Sequence, residues 1–188
     1  MTATSTEKKR HTYEDYLKTP EDRRYELIEG DLLMTPAPVP NHQRILRKIA
    51  FILERFVTDN DLGEIFYAPC DVYFDNENVL DPDILFVSNE KAGIIGEKNI
   101  QGAPDVVIEI LSESTAYNDI VKKKKIYARF GVKEYWISDP IEKTIEIFLP
   151  KNGVLESHKS FSQEQTLESP LLGGLKIKLS EVFGSQQA

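Results

Sequence analysis

The sequence predicts an α/β (α+β) fold: a mixed β-sheet core flanked by helices, with further antiparallel strands at the C-terminal end. Three observations predict it. Val106-Val107-Ile108-Glu109-Ile110-Leu111 is apolar at both parities, the pattern of a strand covered on both faces. A helical stretch and then the strand-like Glu134 to Ser138 follow it, so a right-handed crossover between parallel strands is expected. Finally, Thr144 to Leu149, Leu155 to Phe161 and Leu175 to Leu179 alternate apolar with polar positions, as antiparallel strands with one solvated face do. A chain of 188 residues suits one domain, expected over 11–183 between flexible tails at 1–10 and 184–188.

In chain order, Tyr13 to Leu17 reads as a short helix, and Tyr25 to Met34 as two strands joined by a turn at Glu29-Gly30-Asp31. Pro36, Pro38 and Pro40 force an extended connection. Asn41 is the expected cap of the next helix, where Ile45, Ile49, Ile52, Leu53 and Phe56 recur at three- and four-residue steps. Glu64 to Tyr67, Asp71 to Phe74 and Ile84 to Val87 read as strands, followed by a loop rich in Asn, Lys and Gly. Ser112, Ser114 and Thr115 are candidate caps for a helix from about Tyr117 to Phe130, which Gly131 ends.

Composition narrows the function classes. With 23 Lys and Arg against 31 Asp and Glu, the net charge of −8 argues against coating nucleic acid through bulk charge. The single Cys70 allows no internal disulfide and no zinc cluster, and no run approaches the roughly 18 apolar residues of a membrane span, so a cytoplasmic protein without membrane contact is expected. A Walker loop, a His-Glu-x-x-His pair, a dinucleotide Gly-x-Gly-x-x-Gly motif and a Gly-x-Ser-x-Gly elbow are all missing.

The chemistry-bearing residues are acids. Glu109 sits inside a strand expected to be buried, where an unpaired carboxylate costs several kcal/mol, so it needs a partner, a proton or a cation. Asp83 heads the next apolar strand after Pro82; alone it reads as ordinary turn chemistry. Two acids on neighbouring strands make a shared Mg²⁺ or Mn²⁺ the economical explanation, because oxygen ligands suit hard cations. Asp119, Lys123 and Tyr127 recur at intervals of four and share a helix face close to Glu109; the competing reading is a solvated surface pair. Glu26 shares a strand face with Ile28, with a surface position as its competing reading, and His42 is a helix cap or a phosphate donor. Lys122, Lys124 and Lys125 point elsewhere around the helix, as solvated charge or phosphate contacts.

Tyr25-Glu26-Leu27-Ile28-Glu29-Gly30, Pro36 to His42, Asp81-Pro82-Asp83, Val107 to Ser112 and Gly131-Val132-Lys133-Glu134-Tyr135-Trp136, in that order, resemble the Uma-type family of putative restriction endonucleases, within the PD-(D/E)XK nuclease superfamily. The resemblance runs from about Tyr13 to Pro140. It implies a restriction-endonuclease-like core, Asp83 and Glu109 as catalytic metal ligands and Glu26 as an additional acid nearby. A strict Glu-x-Lys pattern would place the lysine at 111, where this chain has Leu111. The family pattern moves it to the following helix, matching Asp119, Lys123 and Tyr127, so Lys123 is the implied catalytic lysine, with Asp119 and Tyr127 holding it. The implied activity is metal-dependent phosphodiester hydrolysis in nucleic acid, DNA in the first place, by a homodimer; a catalytically inactive nucleic-acid-binding or assembly module on the same fold is the alternative.

Charge distribution fits a local site. Asp59 to Glu113 carries 13 acids and two lysines, a net of −11, and contains the proposed ligands. Residues 41–58 net +3, through Arg44, Arg47, Lys48 and Arg55 against Glu54, and residues 117–135 net +4. Nucleic-acid contacts are therefore expected from His42, Arg44, Arg47, Lys48, Lys122 and Lys124.

Overall fold

Thirteen strands and four α-helices make up the described residues, 10–112 and 116–184, of the computed structural model. In order they are α1 (Tyr13–Tyr16), β1 (Arg24–Ile28), β2 (Asp31–Thr35), α2 (Pro40–Asp59), β3 (Gly63–Tyr67), β4 (Val72–Asp75), β5 (Asn78–Leu80) and β6 (Ile84–Ser88). Then come β7 (Ile100–Gln101), β8 (Val106–Ile110), α3 (Lys124–Phe130), β9 (Glu134–Asp139), β10 (Thr144–Lys151), β11 (Val154–Ser162), β12 (Thr166–Glu168), β13 (Lys176–Lys178) and α4 (Leu179–Phe183). Asn89–Ile94 forms a 3₁₀ turn within the expected loop, and Asn118–Lys123 is a π-helical turn leading into α3. None of the described helices is long and apolar enough to cross a membrane.

The strands form two mixed sheets and a hairpin rather than the single sheet expected. The central sheet has the order β11-β10-β9-β8-β6-β3; the second is β2-β1-β5-β4-β7; β12 and β13 pair alone. As expected, β8 and β9 run parallel, while β10 pairs antiparallel with β9 and β11. Strands β5 and β7, with three and two residues, are too short to leave a period in the sequence.

Parity within the central sheet sorts its side chains onto two cores. Ile84, Phe86, Ile108, Ile110 and Trp136 face one core with the buried side of α2, Ile45, Ile49 and Leu53 among it. Leu85, Val87, Val107 and Tyr135 face the other, which α3 and the second sheet cover with Ile126, Tyr127, Ile28 and Leu80. Glu109 and Asp83 belong by parity to this second face.

Helix α2 begins two residues earlier than expected. Pro40 is its first residue and Val39 its N-cap, so Asn41 lies inside the helix and does not cap it. A proline is pre-organised for that first position and lacks only an N–H that would go unpaired there. The αL residue Gly131, φ 87°, ends α3, a conformation that costs glycine nothing. Of the proposed caps of the α3 segment, Ser114 and Thr115 lie outside the described residues; the backbone carbonyl of Ser112 accepts from Ala116 N–H at 3.0 Å.

A buried acid ties the start of β8 to its neighbours. The Asp105 carboxylate accepts from Ser88 N–H at 2.9 Å and pairs with Lys133 at 2.8 Å and Lys91 at 3.4 Å. Burial raises its pKa, but Lys133 and the Ser88 N–H outweigh it, and the net shift is downward. A depressed carboxyl pKa adds stability above its unfolded value that disappears as pH falls through its folded value. Asp105→Ala, which removes the acceptor of the buried Ser88 N–H and the partner of Lys133, is expected to cost about 2 kcal/mol at neutral pH in urea unfolding, with a smaller deficit at acid pH.

Candidate active site

Antiparallel pairing of β6 with β8 sets Ile84 opposite Ile108. One step further along the register Asp83 falls opposite Glu109, and the two acids share a face. Asp83 is held from two sides: its Oδ2 accepts from Ile110 N–H at 2.7 Å and lies 3.2 Å from His42 Nε2. His42 is accordingly a buried residue of the first turn of α2 with its ring against Asp83, and makes no helix cap. Burial works against its imidazolium, but Asp83 outweighs burial and raises its pKa.

Glu109 is 3% exposed and meets the α3 segment. Its Oε1 accepts from Tyr127 Oη at 2.6 Å and from Lys123 Nζ at 3.1 Å. The same ammonium lies 3.0 Å from Asp119 Oδ1 and 2.9 Å from Glu26 Oε1. The four-residue spacing of Asp119, Lys123 and Tyr127 therefore does put all three on one buried face, and the surface-pair reading is overturned. The π-helical turn carries Asp119 and Lys123 into this position; such turns recur where a helix must present side chains to a site.

Glu26 corrects a second surface reading: it is buried, with its Oε1 also accepting from Asp81 N–H at 3.0 Å. It does share the inward face of Ile28, but β1 lies in a second sheet stacked towards α3, so that face is covered. Arg24 pairs with Asp81 and completes the border.

Electrostatics show an excess of negative charge. Burial pushes Glu109 well above the ordinary carboxylate value; Lys123 pulls it back, while Asp119, Asp83 and Glu26 push it further up. Glu26 is raised by burial too, with Lys123 and the Asp81 N–H opposing. For Lys123, burial disfavours the ammonium, yet Glu109, Glu26 and Asp119 together raise its pKa well above normal, so it stays protonated. Burial, then Glu109, keeps the Tyr127 phenol protonated as a donor.

These side chains line one cleft of about 560 Å³, bordered also by Pro36 to Val39 and Ile141. Lys123 and Glu109 are themselves nearly sealed, at 4% and 3% exposure, and border the inner wall of this cleft. The bonds above occupy Oδ2 of Asp83 and Oε1 of Glu109 and Glu26, and the second oxygen of each carboxylate carries none of them. This all-oxygen set, with more negative charge than one ammonium neutralises, fits a hard divalent cation. Among the described residues no three His, Cys, Asp or Glu side chains are grouped so as to hold a metal ion by themselves, so a cation at Asp83 and Glu109 would need water or phosphate oxygens in its remaining positions.

The basic residues divide. Arg44 and Arg47 are exposed on α2. Lys48 donates at 3.0 Å to the carbonyls of Val182 and Gly184, at the end of α4. Lys122 lies 3.7 Å from Asp31, and Lys124 sits 4.0 Å from the centre of the Phe148 ring. Of the neighbouring lysines only Lys123 enters the acid cluster. Sequence reasoning missed the structural tie of Lys48, because its acceptors are backbone carbonyls distant in the chain.

Residues 12–180 match the family model described as Uma2, putative restriction endonuclease. Among solved structures, one described as a putative nuclease belonging to DUF820 from Anabaena variabilis is similar, with a TM-score of 0.77 at 23% identity, over 92% of this chain and 97% of that one. At that identity the likeness is one of fold. No curated protein matches.

Proposed function

The chain belongs to the Uma2 putative restriction endonuclease family, and from that premise we propose that it is a metal-dependent endonuclease that hydrolyses phosphodiester bonds in DNA. The observation that carries this reading is the meeting of Asp83, Glu109 and Lys123 at one cleft. Mg²⁺ or Mn²⁺ is the proposed cofactor, held by Asp83 and Glu109; when bound it supplies Lewis acidity towards the scissile phosphate and a water of lowered pKa.

The other roles belong to the chain itself. The Ile110 N–H and His42 fix the orientation of Asp83, and the Tyr127 hydroxyl fixes that of Glu109. Lys123, kept protonated by its acids, orients the attacking water and offsets negative charge on the phosphate in the transition state; a protonated amine donates and does not serve as the base. Glu26 and Asp119 hold that ammonium in place. Arg44 and Arg47 draw the polyanion to the mouth of the cleft, and two copies, one per strand, would cut a duplex.

The test is a panel of plasmid, single-stranded DNA and RNA incubated with Mg²⁺, Mn²⁺ or EDTA. Cleavage of DNA in both metals and its loss in EDTA are expected. Binding without cleavage under every condition would transfer the chain to the inactive binding-module reading.

A further inference from the structure

A second groove, of about 620 Å³, adjoins the acid cleft and is lined by side chains outside the acid cluster. Arg44, Arg47 and Phe51 follow one another at three- and four-residue steps along the outer face of α2 and line it together with Tyr67, from the end of β3. Both aromatic rings are exposed, Phe51 by 68% and Tyr67 by 53%. Gln43 and Ala68 border both cavities. Tyr67 pairs with Ile84, and the next N–H, that of Ala68, donates to the Asp83 carbonyl at 3.1 Å, so the groove opens beside a proposed metal ligand.

Single exposed apolar residues need no explanation. Two aromatic faces and two guanidinium groups, against the single carboxylate of Glu54, line one channel and match a ligand with flat apolar rings and anions. We propose that this groove binds unpaired nucleotides of a single-stranded segment leading into the acid cluster, with bases stacked on Phe51 and Tyr67 and phosphates paired with Arg44 and Arg47. Duplex does not fit this chemistry, because its base faces are already stacked on one another and only its phosphates would be served. A second copy seated symmetrically on this face would set arginines against arginines, on a helix carrying net +3. The inference rests on the nuclease reading only for what lies at the end of the groove.

Fluorescence anisotropy in EDTA tests it, with a labelled oligothymidylate and a blunt duplex of matched length. Phe51→Ala and Tyr67→Ala are each expected to weaken oligothymidylate binding roughly tenfold and duplex binding far less. Arg44→Ala combined with Arg47→Ala should weaken both and flatten the salt dependence. Unchanged affinity in the aromatic variants, or equal losses on both probes, would overturn the proposal. So would sedimentation showing that Phe51→Ala splits a dimer while nucleotide affinity is unchanged. The two readings fail separately: stacking-dependent binding without cleavage in any metal leaves the groove and removes the nuclease, whereas cleavage of single strands by Phe51→Ala with unaltered KM does the reverse.

Discussion

Lys123→Met is expected to destabilise the protein by about 4 kcal/mol at pH 8 and to reduce cleavage by at least roughly 10²-fold. The variant keeps the volume of the side chain but leaves Glu26, Glu109 and Asp119 packed together without the ammonium that lies within 3.1 Å of each. Removing one partner of a buried charge group is far more damaging than never having built it. The sign of the pH dependence follows from the acids. Glu109 and Glu26 already have raised pKa values with Lys123 present, and loss of the ammonium raises them further. The folded state then binds more protons than the unfolded one, so stability falls as pH rises above the ordinary carboxylate value of 4.5. Urea unfolding at pH 5 and pH 8 checks this: the deficit against wild type should be smaller at pH 5. An equal deficit at both values would show that the acids are not titrating against Lys123.

Asp83→Asn and Glu109→Gln are each expected to abolish cleavage, by roughly 10³-fold or more, while costing less than about 1 kcal/mol of stability. The asymmetry has a physical basis. An asparagine carbonyl at 83 still accepts from Ile110 N–H, and a glutamine carbonyl at 109 still accepts from Tyr127 and Lys123. Each change also removes one charge from a cluster that holds too many negative ones. What neither amide supplies is the anionic oxygen that a hard divalent cation requires. Initial cleavage rates alongside urea midpoints check both halves, and a variant that loses stability and activity in proportion would point to a structural acid.

Much of this site was legible in the sequence because its residues break local rules. Glu109 interrupts an apolar strand, and a carboxylate in that setting demands a partner. The spacing of Asp119, Lys123 and Tyr127, with the family resemblance, singled out one lysine in a run of four. Asp83 was ambiguous alone, and the β6–β8 register resolves it. Glu26 was named by the family resemblance alone, because strand parity reveals which residues share a face but not what covers that face. Its face is covered because β1 joins a second sheet through β5, three residues long and too short to show any period, and that sheet stacks towards α3. The pairing of His42 with Asp83 was in neither reading of that residue, cap or phosphate donor, because its partner lies 41 residues away. Phe51 and Tyr67 carried no signal either, since an aromatic in an amphipathic helix or at a strand end looks the same in sequence whether it packs or is exposed.

Calorimetric titration of Mn²⁺ into the wild type, Asp83→Asn and Glu109→Gln tests most directly whether the two carboxylates share a cation beside Lys123. The wild type is expected to bind Mn²⁺ saturably and both variants to lose that binding while remaining folded. Equal Mn²⁺ binding by all three proteins would contradict the account.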